Sequence, residues 1–175
     1  MRRSIESVEI REATLDDVEA IRRMHAKSWL DTYPNDEHDI SREWLKVKTD
    51  AWLTREGLDG SQQHFRSVLS DPQQFYRVAV DNGKIIGFVH GLNTETIKEL
   101  AALYIAKAYQ GSGLAQQLAV QIDEWFGDDI VELDVVSYNA RAIRFYENWG
   151  FAKVPNSESL FQDKLPTFRM RREAK

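Results

Sequence analysis

The chain has 175 residues, 42% hydrophobic and 29% charged, with a net charge of −5, the profile of one globular domain spanning residues 1–175 with a full core. It contains no cysteine, which excludes disulfides, cysteine-ligated metals and a cysteine acyl-enzyme and fits a reducing, cytoplasmic setting. The basic start Met1-Arg2-Arg3 leads into no apolar segment, no run nears the ~18 apolar residues of a membrane span, and an acidic balance without a basic stripe disfavours nucleic acid and suits a neutral or cationic substrate.

In chain order, Val8 to Arg11 alternates as a first strand, and Thr14 caps a helix with Asp16 and Asp17 in its first turn and Leu15, Val18, Ile21 and Met24 on one face. Asp31 to Asp39 is an acidic break, followed by helices expected over Ile40 to Trp52 and Ser61 to Leu69. Asn82-Gly83 supplies two positive-φ residues between the apolar runs Phe75 to Val80 and Ile85 to Leu92, which is the signature of a β-hairpin. A fourth strand follows at Leu100 to Ala106. An amphipathic helix with Leu114, Leu118, Ile122 and Phe126 on one side comes next. Ile130 to Val136 is a fifth strand, and Asn139 caps a helix over Ala140 to Trp149 that Gly150 ends. Phe151 to Val154 is a sixth strand, Pro155 to Gln162 a loop, Pro166 to Arg171 the last strand, and Arg171 to Lys175 a frayed end. The sum is an α/β fold: a mixed, mostly antiparallel seven-stranded sheet with helices on both faces.

Glu99 to Phe126 organises the rest. A buried strand passes through the glycine turn Gln110-Gly111-Ser112-Gly113 into a helix start. Glycines let the backbone bring N–H groups close to a phosphate, and the helix dipole adds partial positive charge there. That order makes an anion site.

Two motifs extend this. Gln110-Gly111-Ser112-Gly113-Leu114-Ala115 fits Q/R-x-x-G-x-G/A directly after a fourth strand, and Asn139 to Phe151 fits N-x-x-A-x-x-F-Y-x-x-x-G-F. In both, and in the placement of the hairpin and the opening strand and helix, the chain resembles the GNAT family of acyl-CoA-dependent N-acetyltransferases over nearly its whole length. It departs from the family at Ala106-Lys107-Ala108, where relatives often carry a proline. The resemblance implies a GNAT-like fold and acetyl-CoA as co-substrate. Gln110, Gly111, Ser112, Gly113, Leu114 and Ala115 would then seat its pyrophosphate, Leu103, Tyr104 and Ile105 would pair with pantetheine as an added strand, and Asn139 would contact cofactor or water. The implied reaction moves an acetyl group to a primary amine, a small cationic amine or a peptide or protein amino group, by direct transfer in a ternary complex.

Such a transfer needs the amine deprotonated, a donor to the thioester oxygen and a proton for the leaving thiolate. A lysine-like amine costs roughly 4–5 kcal/mol to neutralise at pH 7, an α-amino group only about 1. By the resemblance Tyr146 is the general acid, Glu99 the base through water, and the backbone N–H near Ile105 the oxygen's donor. Trp29, Tyr33 and the acidic loop Asp31 to Asp39 lie where the family builds its acceptor site, and His90 is a further lining residue reached from the hairpin. The four histidines show no metal-ligand spacing, and Ser112 has no nucleophile elbow. The alternatives are a non-catalytic acyl-CoA-binding or sensing module and, remotely, a kinase, for which the Gly-Lys-Ser/Thr ending is missing. A homodimer stays open.

Overall fold

The hairpin at Asn82-Gly83 sets the frame. Asn82 (φ 48°) and Gly83 (φ 73°) take the left-handed conformations of a two-residue turn, joining β2 (Gln74–Asp81) to β3 (Lys84–Asn93). In the computed structural model, which describes residues 4–174, these strands belong to a sheet ordered β1-β2-β3-β4-β5-β8-β6, with β7 paired to β8. The other strands are β1 (Glu9–Glu12), β4 (Lys98–Ile105), β5 (Val131–Val136), β6 (Ala152–Lys153), β7 (Ser159–Phe161) and β8 (Leu165–Arg172). All neighbours are antiparallel except β4 and β5.

Helices α1 (Val18–Thr32), α2 (Arg42–Trp52) and α3 (Arg55–Ser70) cover one face, burying Val18, Ile21, Phe65, Trp29 and Leu45. Helices α4 (Leu114–Phe126) and α5 (Ala140–Asn148) lie on the other, where Leu114, Leu118, Ile122 and Phe126 meet Leu133, Val135 and Met170. Gly91 sets how closely α4 approaches: a Cβ there would stand 2.7 Å from Ile122 Cδ1 and 3.1 Å from Trp125 Cζ3. No helix among the described residues is long and apolar enough to cross a membrane.

The structure corrects four expectations. Ser159–Phe161, expected in a loop, is a short eighth strand, held because Thr167 and Leu165 of β8 offer it a partner edge. The third helix begins at Arg55 rather than Ser61, since Thr54 caps it by accepting from Gly57 N–H (3.1 Å) and Gly57 packs where a Cβ would lie 2.1 Å from Ala51 O. The sixth strand shrinks to Ala152–Lys153. The expected frayed end does not begin at Arg171. β8 runs through Arg172, whose guanidinium pairs with Asp123 (2.5 Å) and lies over the rings of Trp149 and Phe151. Met1 to Arg3 and Lys175 lie outside the described residues.

Candidate active site

The cleft comes from one irregularity. β3 and β4 pair His90 with Ala102 but Gly91 with Leu100, which leaves Ala101 as a bulge; a bulge bends its strand. β4 and β5 then pair only at Lys98↔Val131 and Glu99↔Glu132 and part beyond them. Into the gap opens a cavity of about 620 Å³.

Its wall on the β4 side is free backbone. Ala106 N–H donates to Ile86 O (2.8 Å), so the alternation of an antiparallel ladder turns the N–H and C=O groups of Ile105 and Leu103 away from β3 and towards the cleft. Ile105 O accepts from Gln110 Nε2 (3.2 Å). One end of the cavity is the glycine turn. Gly111 (φ 76°) and Gly113 (φ 94°) adopt left-handed conformations, and Gly113, Ala115 and Gln116 line the space. Helices α2, α3 and α5 start on side-chain caps from Ser41, Thr54 and Asn139, whereas α1 and α4 start without one. In α4 the Leu114 N–H donates to Ser112 Oγ (3.4 Å), and the N–H groups of Gly113, Ala115 and Gln116, beside the cavity, are placed for an anion.

Tyr146 faces the cavity from α5, is 9% exposed, and burial together with nearby Tyr104 pushes its phenol well above the ordinary value. It stays protonated and can only give a proton. Glu99 lines the cavity at the last β4–β5 rung. Its pKa is raised first by burial, then by Asp134 and Glu132, with Arg169 opposing. The other carboxylates are ion-paired: Asp134 takes Arg169 (3.0 and 3.2 Å), and Glu132 takes Arg169 (3.1 Å) and Arg171 (2.5 Å).

The opposite wall comes from α1. Trp29 Nε1 donates to His25 Nε2 (2.9 Å) and to Tyr104 Oη (3.1 Å), and the hydroxyls of Tyr33 and Tyr104 share a hydrogen bond (3.1 Å). Tyr138 Oη donates to Tyr33 O (2.7 Å). His25, half-buried on the cavity wall, has its pKa lowered to about 3 by desolvation and by nearby Arg22 and is neutral. Phe161 of β7 closes this side edge-on to Trp29 (5.9 Å between centroids).

Leu103, Ile105, Gln110, Gly111, Gly113, Ala115, Asn139, Tyr146, Glu99, Trp29 and Tyr33 therefore share one cavity. Ser112 and Leu114 stand behind it: Ser112 Oγ donates to Tyr109 O (2.6 Å), and the Leu114 side chain is buried in the core. Asn139 Oδ1 is spent on Ala142 N–H (3.3 Å). Tyr104 was placed on the donor edge, yet its ring joins the α1 wall because side chains alternate along β4. His90 does not line the cavity; it bonds Gln74 Oε1 (2.8 Å) and packs on Tyr76. None of the carboxylates in Asp31 to Asp39 lines the cavity; Asp31 pairs with Lys27 (2.9 Å) and Asp39 with Lys164 (3.2 Å). The sequence reading missed His25, Asp134, Arg141, Phe161 and Thr167 as lining residues. Only alternation along β5, which puts Asp134 on the face of Glu132, was a usable signal. Among the described residues no cluster of His, Asp or Glu is arranged to hold a metal.

A sheet parted beside an uncapped, glycine-led helix start, with a buried phenol in the gap, defines an acetyltransferase of the acyl-CoA type. Residues 18–151 match the profile of the Acetyltransferase (GNAT) family, and the chain belongs to that family. Its fold is similar to that of the PaiA N-acetyltransferase from Thermoplasma acidophilum in complex with coenzyme A (20% identity, TM-score 0.75, covering 95% of this chain and 99% of that one). It is also similar to the ribosomal-protein-S18-alanine N-acetyltransferase from Escherichia coli (17%, 0.65, 96% and 94%). A third likeness is to Arabidopsis thaliana NAA60 in complex with a bisubstrate analogue (16%, 0.66, 96% and 99%). No curated protein matches the chain.

Proposed function

We propose that the protein transfers an acetyl group from acetyl-CoA directly to a primary amine held beside it in a ternary complex. The observation that carries this is the meeting of the free β4 edge, the glycine turn and Tyr146 in one cavity. The donor fits what is there: the N–H groups of Gly113, Ala115 and Gln116 suit a diphosphate, and the N–H and C=O of Leu103 and Ile105 suit the amides of pantetheine. Acetyl-CoA supplies the reactive thioester and a thiolate as leaving group.

The chain's own residues then have separable tasks. Ile105 N–H, turned away from β3 into the cleft, would donate to the acyl oxygen and stabilise the charge that develops there. Glu99 carries no ion pair among the described residues and, with its raised pKa, takes the proton of the incoming amine through a water. Tyr146 Oη gives its proton to the sulfur as the thioester breaks and is reprotonated from solvent. The aromatic wall of Trp29, Tyr33 and Tyr104 orients the acceptor and excludes water from it. Among the relatives, PaiA is named an N-acetyltransferase and was solved with coenzyme A, which supports the donor, and the Escherichia coli enzyme is named a ribosomal-protein-S18-alanine N-acetyltransferase; the two names support a nitrogen acceptor.

The test is acetyl-CoA turnover over polyamines, aminoglycosides, amino acids and peptide N-termini. CoA release coupled to acetylation of one amine class is expected. Stabilisation of the protein by ATP and not by CoA would overturn the assignment.

A further inference from the structure

The glycine turn does not hold its own shape. Ser112 contributes twice to one atom, with its backbone N–H (3.2 Å) and its hydroxyl (2.6 Å) both donating to Tyr109 O. Tyr109 in turn is 5% exposed and ends the short 3-10 turn Lys107–Tyr109 that carries β4 into the glycines. Its hydroxyl crosses 28 residues of sequence to donate to Asp81 Oδ2 (2.5 Å). Asp81 is the last residue of β2, fixed by the Asn82-Gly83 turn, and Asn82 Nδ2 donates to its Oδ1 (2.9 Å). The same oxygen accepts from Ser7 Oγ (3.0 Å), which brings in the segment ahead of β1. Ile5 of that segment packs beside the turn, where a Cβ at Gly113 would stand 3.7 Å from Ile5 Cδ1.

We propose that Asp81 is a positioning residue for the donor diphosphate, acting through Tyr109. A glycine-bearing loop has many conformations to lose when it closes on an anion. Asp81 removes part of that loss in advance. It anchors the phenol to a rigid hairpin, the phenol fixes the carbonyl that Ser112 hangs from, Ser112 Oγ in turn accepts from Leu114 N–H (3.4 Å), and the N–H groups of Gly113, Ala115 and Gln116 are aimed before the donor arrives. The hairpin tip, remote from the reacting atoms, thus sets donor affinity rather than the rate of the chemical step. The proposal rests on the acetyl-CoA assignment above.

The test is calorimetric titration of the full chain with CoA, for the wild type, Asp81→Ala, Tyr109→Phe and the double variant. A charge-assisted hydrogen bond that organises a loop is worth about 10-fold in Kd. Each single variant should bind CoA about 10-fold more weakly, and the double variant no more weakly than either, because both cut one linkage. In turnover, Asp81→Ala should raise KM for acetyl-CoA by the same factor and move kcat less than twofold. Asp81→Asn, which keeps an acceptor oxygen, should recover most of the affinity. A wild type that fails to bind CoA overturns the donor assignment itself. A wild type that binds, with variants that bind equally well or with losses that multiply in the double variant, overturns the role of Asp81 alone. Thermal unfolding of each unliganded variant shows whether a loss of binding follows a loss of folding. If Tyr109→Phe does not fold, the Asp81→Ala and Asp81→Asn pair decides.

Discussion

Glu99 of β4 and Glu132 of β5 stand opposite each other at the last rung before the two strands part. Like charges across a ladder repel; Glu132 is relieved by direct ion pairs, Arg169 at 3.1 Å and Arg171 at 2.5 Å, and Glu99 only by the field of Arg169. Glu99 keeps its proton to higher pH than an ordinary glutamate, mostly through burial and further through Asp134 and Glu132. Glu132 is held in ion pairs, and Glu99 is the cavity-lining carboxylate with no ion pair among the described residues.

Glu99→Gln should lower kcat/KM by about 100-fold with a lysine-like amine and much less with an α-amino group, in the order of their deprotonation costs. In the wild type kcat/KM should fall as pH drops through the raised pKa of Glu99, and the variant should lack that limb. A pH–rate profile with an unchanged acid limb in Glu99→Gln would assign the base to another group.

The same residue has a stability signature of opposite sense. A carboxyl whose folded pKa lies above its unfolded value binds more protons in the folded state, so stability falls as pH rises through that window and a cost persists at neutral pH. Glu99→Gln should therefore raise Tm at pH 7 while it lowers activity, as scanning calorimetry would read.

Tyr146→Phe should cut kcat by about 100-fold, the lower range of general acid catalysis, with KM for acetyl-CoA moving less than twofold. The ring packs with Phe145 and Phe151, and phenylalanine keeps that packing. An equal loss in kcat and in acetyl-CoA affinity would make the ring structural.

His25 and His90 carry folded pKa values lowered to about 3 and about 4 by burial. For a histidine held neutral, stability is fully present above the unfolded value of about 6.5 and is lost as pH falls below it, because the unfolded chain then binds the extra proton. Urea midpoints should fall between pH 7 and pH 5, and His25→Gln should flatten part of that slope. A pH-independent midpoint would contradict the desolvated, neutral state of both half-buried rings.

Much of this was legible in the sequence because local rules and the fold agreed. Asn82-Gly83 admits one kind of turn, and the spacing of Leu114, Leu118, Ile122 and Phe126 admits one helix face. What stayed hidden depended on non-local pairing. The parting of β4 from β5 follows from the bulge at Ala101, which no residue type announces. Ser159–Phe161 is a strand only because β8 is there to receive it. The acceptor wall was legible in Trp29 and Tyr33 but not in His25 or Phe161, whose positions depend on how α1 and β7 meet over the gap. The acidic composition of Asp31 to Asp39 did not indicate that its carboxylates lie outside the cavity lining, two of them paired with Lys27 and Lys164.

Arg172 gives a stability test apart from the site. Its guanidinium is buried between Trp149, Phe151 and Asp123, with Nε and Nη2 making no hydrogen bond. Arg172→Ala removes the packing and leaves the Asp123 charge without this cation, for an expected loss of about 3 kcal/mol in urea unfolding. A loss under about 0.5 kcal/mol would show the pair to be as weak as a surface one.

The central claim is direct acetyl transfer in this cleft. Its most direct measurement is mass spectrometry of the protein and of an amine panel after incubation with acetyl-CoA, wild type beside Tyr146→Phe. One acetyl group on an amine, none on the protein, and a slowed rate in the variant are predicted. An acetylated protein that passes its acetyl group on, or CoA binding with no acetylated amine of any class, would contradict it.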